Sequence, residues 1–221
     1  TFTTVCCLFL FTFSFAQNNY PKDSCAAADA HFYKKRYKET IVAATSCINS
    51  ETNSEKLILS YSFRSSAYEQ LKEYDKALLD INKVVSMSPT MGNIRSRAAL
   101  YATMGKFDLA LQDHDKAISM SPDSDMEYYF KGKCLVKAKR YDDAISVLQT
   151  ALKINPKNSY VTTELGKVAM INNDYTKAKE YLDRAIKDNY GSHEPFYYQG
   201  VLSIHDGDFR KAISYFNDAY K

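Results

Sequence analysis

Tryptophan is absent from this sequence, and glycine and proline are scarce, with 7 and 5 residues among 221. Low-complexity and disordered chains usually carry far more glycine and proline, so the composition excludes both classes. Apolar residues make up 45% of the chain and charged residues 25%. This balance is enough to bury a sizeable core, either in one or two compact domains or in a longer one-dimensional array.

A large excess of one charge is also missing, since the formal net charge is +3 and no run of Lys and Arg stands out. Proteins that bind duplex nucleic acid concentrate basic residues on one face, where these residues displace counterions from the phosphates. The sequence therefore predicts no nucleic-acid partner.

Motifs for catalysis, cofactors and metals are missing as well. The chain has no glycine-rich phosphate loop, no GxSxG elbow and no HExxH motif. Its four histidines are dispersed and show no Cys/His spacing typical of a metal site; they are His31, His114, His193 and His205. We predict a chain that is not an enzyme and that binds no cofactor and no metal.

The N-terminal segment differs from the rest, because Val5–Ala16 (VCCLFLFTFSFA) contains no charged residue. A helix needs about 20 apolar residues to cross a bilayer, so the segment predicts no stable membrane span. It fits the apolar region of a secretory signal, with the small residues Ser14 and Ala16 at the two positions that a signal peptidase recognises. The alternative, a buried N-terminal helix, is disfavoured by the lack of a polar face. We predict a signal peptide over residues 1–16 and an exported protein, periplasmic, envelope-associated or secreted.

A repeat appears in five alanines that lie 33, 34, 34 and 34 residues apart. An aromatic residue stands three positions before each alanine, and a small residue stands twelve positions before it. The alanines are Ala77, Ala110, Ala144, Ala178 and Ala212; the aromatics are Tyr74, Phe107, Tyr141, Tyr175 and Phe209; the small residues are Ser65, Ala98, Gly132, Gly166 and Gly200. Val or Ala follows seven positions after each alanine, and three units end in Pro89, Pro122 or Pro156.

These rows predict hairpins of two antiparallel helices. Two helices approach closely only where the facing side chains are small, so we expect a tight crossing at Gly132 and Ala144. Proline lacks an N–H and ends the second helix, and apolar residues recur at helical spacing within each half. The predicted hairpins span residues 17–54, which form a degenerate first unit, and 55–90, 91–124, 125–158, 159–192 and 193–221.

The pattern resembles that of the tetratricopeptide repeat family, whose period is 34 residues. The resemblance extends from about residue 21 to residue 221, although other residues replace the family's tryptophan, among them Tyr61, Tyr128 and Phe196. It implies an all-α fold, an α–α superhelix or solenoid of about six antiparallel hairpins. It also implies a binding scaffold, because such arrays are mainly used to hold other proteins.

Two arginines precede small positions where the family often has leucine. Arg64 and Arg97 are each followed sixteen residues later by an aspartate, Asp80 or Asp113. In an antiparallel hairpin these positions face one another, and a buried guanidinium requires a matched anion. We predict a structural ion pair in each of the two units.

Cys25 and Cys47 lie in the two halves of the degenerate first unit. In an oxidising compartment they would form a disulfide if their Cα atoms lie within about 7 Å. The alternative is two buried free thiols. Cys134 has no evident partner and is expected to be a small core residue.

The resemblance implies that the concave face, lined by the first helix of each hairpin, is the usual binding surface. Extended peptides bind such grooves through side-chain pockets and charge-assisted contacts to carboxylates. We therefore expect a protein or peptide partner, acidic or with a free C-terminus, on seven residues of this row; ordinary solvated lysines are the alternative. The seven are Arg95, Tyr129, Lys133, Lys137, Thr163, Lys167 and Tyr197. The asparagines of the family's two-carboxylate clamp are absent, since Ser66, Ala99, Lys133 and Lys167 stand in their place.

A structural role is the second hypothesis. The last unit shows Phe216 and Ala219 close to Lys221, without the polar extra helix that usually covers a solenoid end. An uncovered apolar end favours stacking. The expected forms are an end-to-end homo-oligomer or a segment of a longer envelope protein.

Overall fold

The computed structural model describes residues 24–188 and 192–220, and within these ranges it contains twelve α-helices and no strand. The predicted signal peptide lies outside the described residues. In chain order the helices are α1 (Ser24–Tyr33), α2 (Tyr37–Ser50), α3 (Ser54–Gln70), α4 (Tyr74–Met87), α5 (Met91–Thr103), α6 (Phe107–Met120), α7 (Asp125–Lys137), α8 (Tyr141–Ile154), α9 (Ser159–Ile171), α10 (Tyr175–Lys187), α11 (Glu194–His205) and α12 (Phe209–Tyr220).

Consecutive helices pack as hairpins. The pairs α1–α2, α3–α4, α7–α8, α9–α10 and α11–α12 each share an extensive contact. The predicted all-α class and the hairpin packing are therefore confirmed. The chain divides into two compact units after Leu100, within α5, so that α1–α4 belong to the first unit and α6–α12 to the second.

Every hairpin turn has the same backbone. In each turn, the second residue after the end of the first helix adopts a left-handed conformation, with φ between 58° and 77°. Glycine adopts this conformation without strain and the other side chains do so at a cost. The six positions are Lys35, Lys72, Gly105, Lys139, Asn173 and Gly207. The recurrence shows that the sequence repeat is a repeat of turn geometry as well.

In the first unit, alanines let α1 and α2 approach closely, and a disulfide joins the two helices. Ala27, Ala28, Ala43 and Ala44 form a buried cluster. Cys25 and Cys47 are bonded, with 5.0 Å between their Cα atoms. The alternative of two free thiols does not apply to this structure.

Arg64 links the first and second hairpins of the first unit. Its Nε and Nη2 donate to the two carboxylate oxygens of Asp80 at 2.8 Å each, and its Nη1 donates to Thr45 Oγ1 of α2 at 2.9 Å. The hydrogen bond to Asp80 raises the pKa of Arg64 above its ordinary value, although burial opposes this. The two members of the other predicted pair, Arg97 and Asp113, belong to different units, and this pair stays a prediction. Arg97 Nη1 donates to Asn82 Oδ1 at 3.1 Å.

In the second unit the small-residue row marks the closest approach of paired helices. A Cβ atom on Gly132 would lie 2.5 Å from Leu148 Cδ2, and one on Gly166 would lie 2.8 Å from Leu182 Cγ. Leu148 stands one helical turn after Ala144, the residue expected from the sequence to face Gly132. The glycine therefore makes room for the leucine, while Ala144 is buried beside it.

Gly132→Ala is expected to lower the free energy of unfolding by about 1–3 kcal/mol, since a methyl group overpacks Leu148. Urea unfolding followed by circular dichroism measures the change. Gly92→Ala is the matched control, because no atom lies within 4 Å of a Cβ at Gly92, and alanine favours helix there. A Gly132→Ala protein as stable as the control would contradict the close approach, whereas partial recovery by adding Leu148→Val would support it.

Candidate functional site

The first helices of the second unit place five of the predicted groove residues on one repeated surface, which we call the first-helix face. Tyr129, Thr163 and Tyr197 are 34 residues apart and occupy the same position of α7, α9 and α11. Lys133 and Lys167 also share a position, one helical turn further on. Since α9 contacts both α7 and α11, these residues lie on neighbouring helices. Lys137 follows Lys133 by a turn, while Arg95 belongs to the first unit.

Tyr129 forms the base of an aromatic and basic cluster. Its ring centroid lies 5.4 Å from that of Phe130 and 6.0 Å from that of Tyr160. The Lys133 ammonium lies 5.3 Å from the Tyr129 centroid, within the range of a cation–π contact. Burial raises the pKa of the Tyr129 phenol, and the charges of Glu164 and Glu194 raise it further. The phenol is therefore neutral, and Tyr129 is a buried member of the cluster on which the more exposed Tyr160 packs.

Lys167 is held between two carboxylates of its own chain. Its Nζ lies 2.7 Å from Glu164 Oε1 and 3.1 Å from Glu194 Oε1, and it stands 5.3 Å from the ring centroid of Tyr198. Burial lowers the pKa of Lys167, but the hydrogen bond to Glu164 and the two negative charges outweigh it, so the pKa is raised. The Glu164 side chain is only 2% exposed. This lysine is thus committed to a buried ion pair.

The other predicted residues differ in how open they are to a partner. Thr163 is buried, and its hydroxyl donates to the Ser159 carbonyl at 2.6 Å, which is a structural role within α9. Tyr197 is 51% exposed, and its ring packs on Tyr198 and Phe216. Lys137 is exposed, and neither it nor Lys133 forms an ion pair with a described residue.

Sequence reasoning missed Glu164, Glu194 and Tyr160, which complete the cluster. Glu164 occupies the repeat position that holds Phe130 in α7 and Tyr198 in α11, so a charge there departs from an aromatic row. It also precedes Lys167 by three residues, a spacing at which opposite charges meet on a helix. Those two signals together could have identified the pair.

Within residues 24–188 and 192–220, no group of three or more His, Cys, Asp and Glu side chains is arranged to hold a metal ion. No helix there has the length and apolar character needed to cross a membrane.

Three family models described as tetratricopeptide repeat match the chain, at residues 59–91, 96–159 and 135–197. Solved structures share its fold at low sequence identity. A tetratricopeptide repeat protein from Parabacteroides merdae is 16% identical with a TM-score of 0.74, over 89% of this chain and 76% of that one. PilF of Pseudomonas aeruginosa is 13% identical with a TM-score of 0.64, over 87% and 86%. No curated protein matches the chain.

Proposed function

Because this chain belongs to the tetratricopeptide repeat family, we propose that it is a non-catalytic scaffold that binds a peptide segment of a partner protein on its first-helix face. The repeat fold is in general one of protein interaction. The proposal goes beyond this general role in three respects: the partner segment is a peptide, it is acidic, and it is bound in an exported setting.

The observation that carries the proposal is the contrast between the lysines of the first-helix face. Lys167 is neutralised by Glu164 and Glu194, whereas Lys133 and Lys137 have no acidic partner among the described residues. The two remaining cations lie one helical turn apart, and Lys133 stands over the ring of Tyr129, which packs on Tyr160. A peptide with a carboxylate next to an apolar side chain matches this arrangement, since the carboxylate pairs with an ammonium and the side chain covers the ring of Tyr160, which is 39% exposed.

A library of immobilised octapeptides with free C-termini tests the proposal. The wild-type chain is expected to retain peptides that combine Asp, Glu or a terminal carboxylate with an apolar residue. For the retained peptides, Lys133→Glu should weaken binding at least tenfold, because attraction becomes repulsion in a partly buried site. Lys153→Glu changes an exposed lysine on α8 by the same charge and serves as the control.

Equal binding of the retained peptides by wild type and Lys133→Glu would reject this surface as the binding site. Retention of purely basic peptides would reject the predicted chemistry. Lys167 is left unchanged in this experiment, since its replacement disturbs a buried ion pair.

We further propose that the protein is exported, to a periplasmic, envelope or secreted location. The uncharged run of Val5–Ala16 supports export, and so does the disulfide between Cys25 and Cys47, because structural disulfides persist in oxidising compartments. N-terminal sequencing of the native protein tests this, with Gln17 expected as the first residue. A native chain that retains residues 1–16 would contradict cleavage.

A self-assembling array is the second candidate, and one observation favours it. Along α12, Phe209, Ile213 and Tyr220 are 65%, 62% and 94% exposed. Ile145 and Leu152, which stand two repeats before Ile213 and Tyr220, pack against a buried cluster that includes Val161 and Leu165 of α9. Sedimentation of residues 17–221 should then show a concentration-dependent homo-oligomer that Ile213→Glu abolishes; a monomer at every concentration would reject self-association.

A further inference from the structure

We propose that the turn between α1 and α2 docks the protein on an anionic membrane surface. The segment Tyr33–Lys38, with the sequence YKKRYK, spans this turn and the adjoining ends of both helices, and we call it the basic turn. Its four cations, Lys34, Lys35, Arg36 and Lys38, are all exposed. The inference is independent of the peptide site, which lies in the second unit.

The basic turn differs from the other hairpin turns in concentrating four exposed cations within five residues. Cations at three other turns each have an acidic neighbour three residues away, with Lys76 on Glu73, Arg140 on Asp143 and Lys177 on Asp174. None of the four cations of the basic turn forms an ion pair with a described residue. The positive charge is therefore available to an external anion.

An aromatic side chain stands next to these cations. Tyr33 is 75% exposed, and its ring contacts Phe32 and Phe63 at centroid distances of 6.0 Å and 6.2 Å. Tyrosine is enriched where proteins meet the polar surface of a bilayer, because its ring is apolar and its hydroxyl is polar. Exposed cations beside such a ring match an anionic lipid surface in both charge and polarity.

The basic turn is held in place before any surface is met. The Arg36 amide donates to the His31 carbonyl at 2.9 Å, and the Lys35 amide donates to the Phe32 carbonyl at 2.8 Å. The disulfide between Cys25 and Cys47 ties the two helices that flank the turn. Little conformational freedom is lost on docking, and preorganisation of this kind strengthens binding.

A membrane surface fits the basic turn better than nucleic acid does. Proteins on duplex DNA commonly contact 6–10 phosphates, about twice as many as four cations in one turn can reach. A turn at the end of a hairpin is suited to touch a flat surface, where each Lys or Arg near anionic lipid adds to the attraction. Anionic lipid is therefore the partner that we assign.

Vesicle co-sedimentation of residues 17–221 tests the proposal without the apolar run of residues 5–16. Binding is expected to phosphatidylcholine vesicles that contain phosphatidylglycerol, to weaken as salt is raised, and to be far weaker on phosphatidylcholine alone. Replacing Lys34, Lys35, Arg36 and Lys38 by Gln should reduce binding at least tenfold. The matched control replaces four exposed lysines elsewhere, Lys83, Lys116, Lys153 and Lys187, by Gln, with the same change in net charge and little expected loss.

Thermal unfolding followed by circular dichroism verifies that both quadruple variants are folded. Tyr33→Gln provides a further variant with a single substitution, and it is expected to bind the vesicles more weakly than wild type. Equal loss in the two quadruple variants would overturn the proposal, because net charge alone would then explain binding. Equal binding to neutral and anionic vesicles would also overturn it. Tighter binding to single-stranded DNA than to the vesicles would replace lipid by nucleic acid as the partner.

Discussion

Lys167→Met is expected to lower the free energy of unfolding by about 3–5 kcal/mol, the usual cost of removing one partner from a buried ion pair. The variant leaves the Glu164 carboxylate, 2% exposed, without its ammonium at 2.7 Å, and close to a second carboxylate on Glu194. Methionine has nearly the length of lysine, so lost packing contributes little. Urea unfolding at neutral pH measures the difference.

A surface pair of the same geometry provides the control. Lys177 lies 2.7 Å from Asp174, also three residues away, but its side chain is 66% exposed. Lys177→Met should cost far less than Lys167→Met, because water replaces the lost partner. The double variant Glu164→Gln with Lys167→Met should recover most of the stability, since no uncompensated charge remains. Equal costs for the Lys167 and Lys177 variants would contradict the assignment of Lys167 to a buried pair.

The pH dependence has a definite sign. The pKa of Lys167 is higher in the folded protein than its ordinary value of 10.5, so the unfolded chain loses this proton first. The stabilisation by Lys167 is therefore complete below pH 10.5 and is lost as the pH rises further. The stability difference between wild type and Lys167→Met should accordingly shrink above that pH and stay constant between neutral pH and pH 9.

The repeat could be predicted from the sequence because its determinants recur at fixed spacing. A small residue, an aromatic residue and an alanine mark the place where two helices approach most closely. All three belong to the same hairpin, so their spacing in the sequence is fixed. The offset of sixteen residues that joins Arg64 to Asp80 follows from the same geometry, and the structure contains this pair. The division of the chain within α5 has no such local signal, and the sequence does not predict it.

The candidate site was less predictable, because a spacing assigns a residue to a face and does not identify its neighbours. Lys167 and Lys133 occupy equivalent positions, yet only Lys167 meets two carboxylates, and one of them, Glu194, is 27 residues away in the chain. Thr163 shares the position of Tyr129 and Tyr197, but its hydroxyl turns back to the Ser159 carbonyl. The short side chain reaches its own helix, whereas the tyrosines project beyond it.

The basic turn escapes prediction from the sequence for a different reason. A net charge of +3 averages over the whole chain, and four cations within five residues are hidden in that average. Their significance also depends on pairing, since three of the equivalent turns hold a cation on an acid three residues away. Only the three-dimensional structure separates an exposed unpaired cluster from a solvated ion-pair network.

Replacing both Cys25 and Cys47 by alanine is expected to lower the free energy of unfolding of the first unit by about 3 kcal/mol. The bond joins residues 22 apart, and in the chain-entropy model closing a loop of that size restricts the unfolded state by about this amount. Urea unfolding of the oxidised wild type, the reduced wild type and the double alanine variant measures it. Reductant should destabilise the wild type and leave the variant unchanged, because the one remaining described cysteine, Cys134, is free and buried.

The loss of stability should be confined to the first unit, so it should affect the basic turn and leave the first-helix face of the second unit unchanged. Without the disulfide, amide exchange should accelerate in α1 and α2, because the covalent link between these two helices is lost, and remain slow in α9 and α10. Vesicle binding through the basic turn should then weaken, because its flanking helices are loosened, while peptide binding on the first-helix face of the second unit persists. An unchanged stability after reduction would contradict the loop-closure argument, and loss of both activities together would show that the two surfaces are not independent.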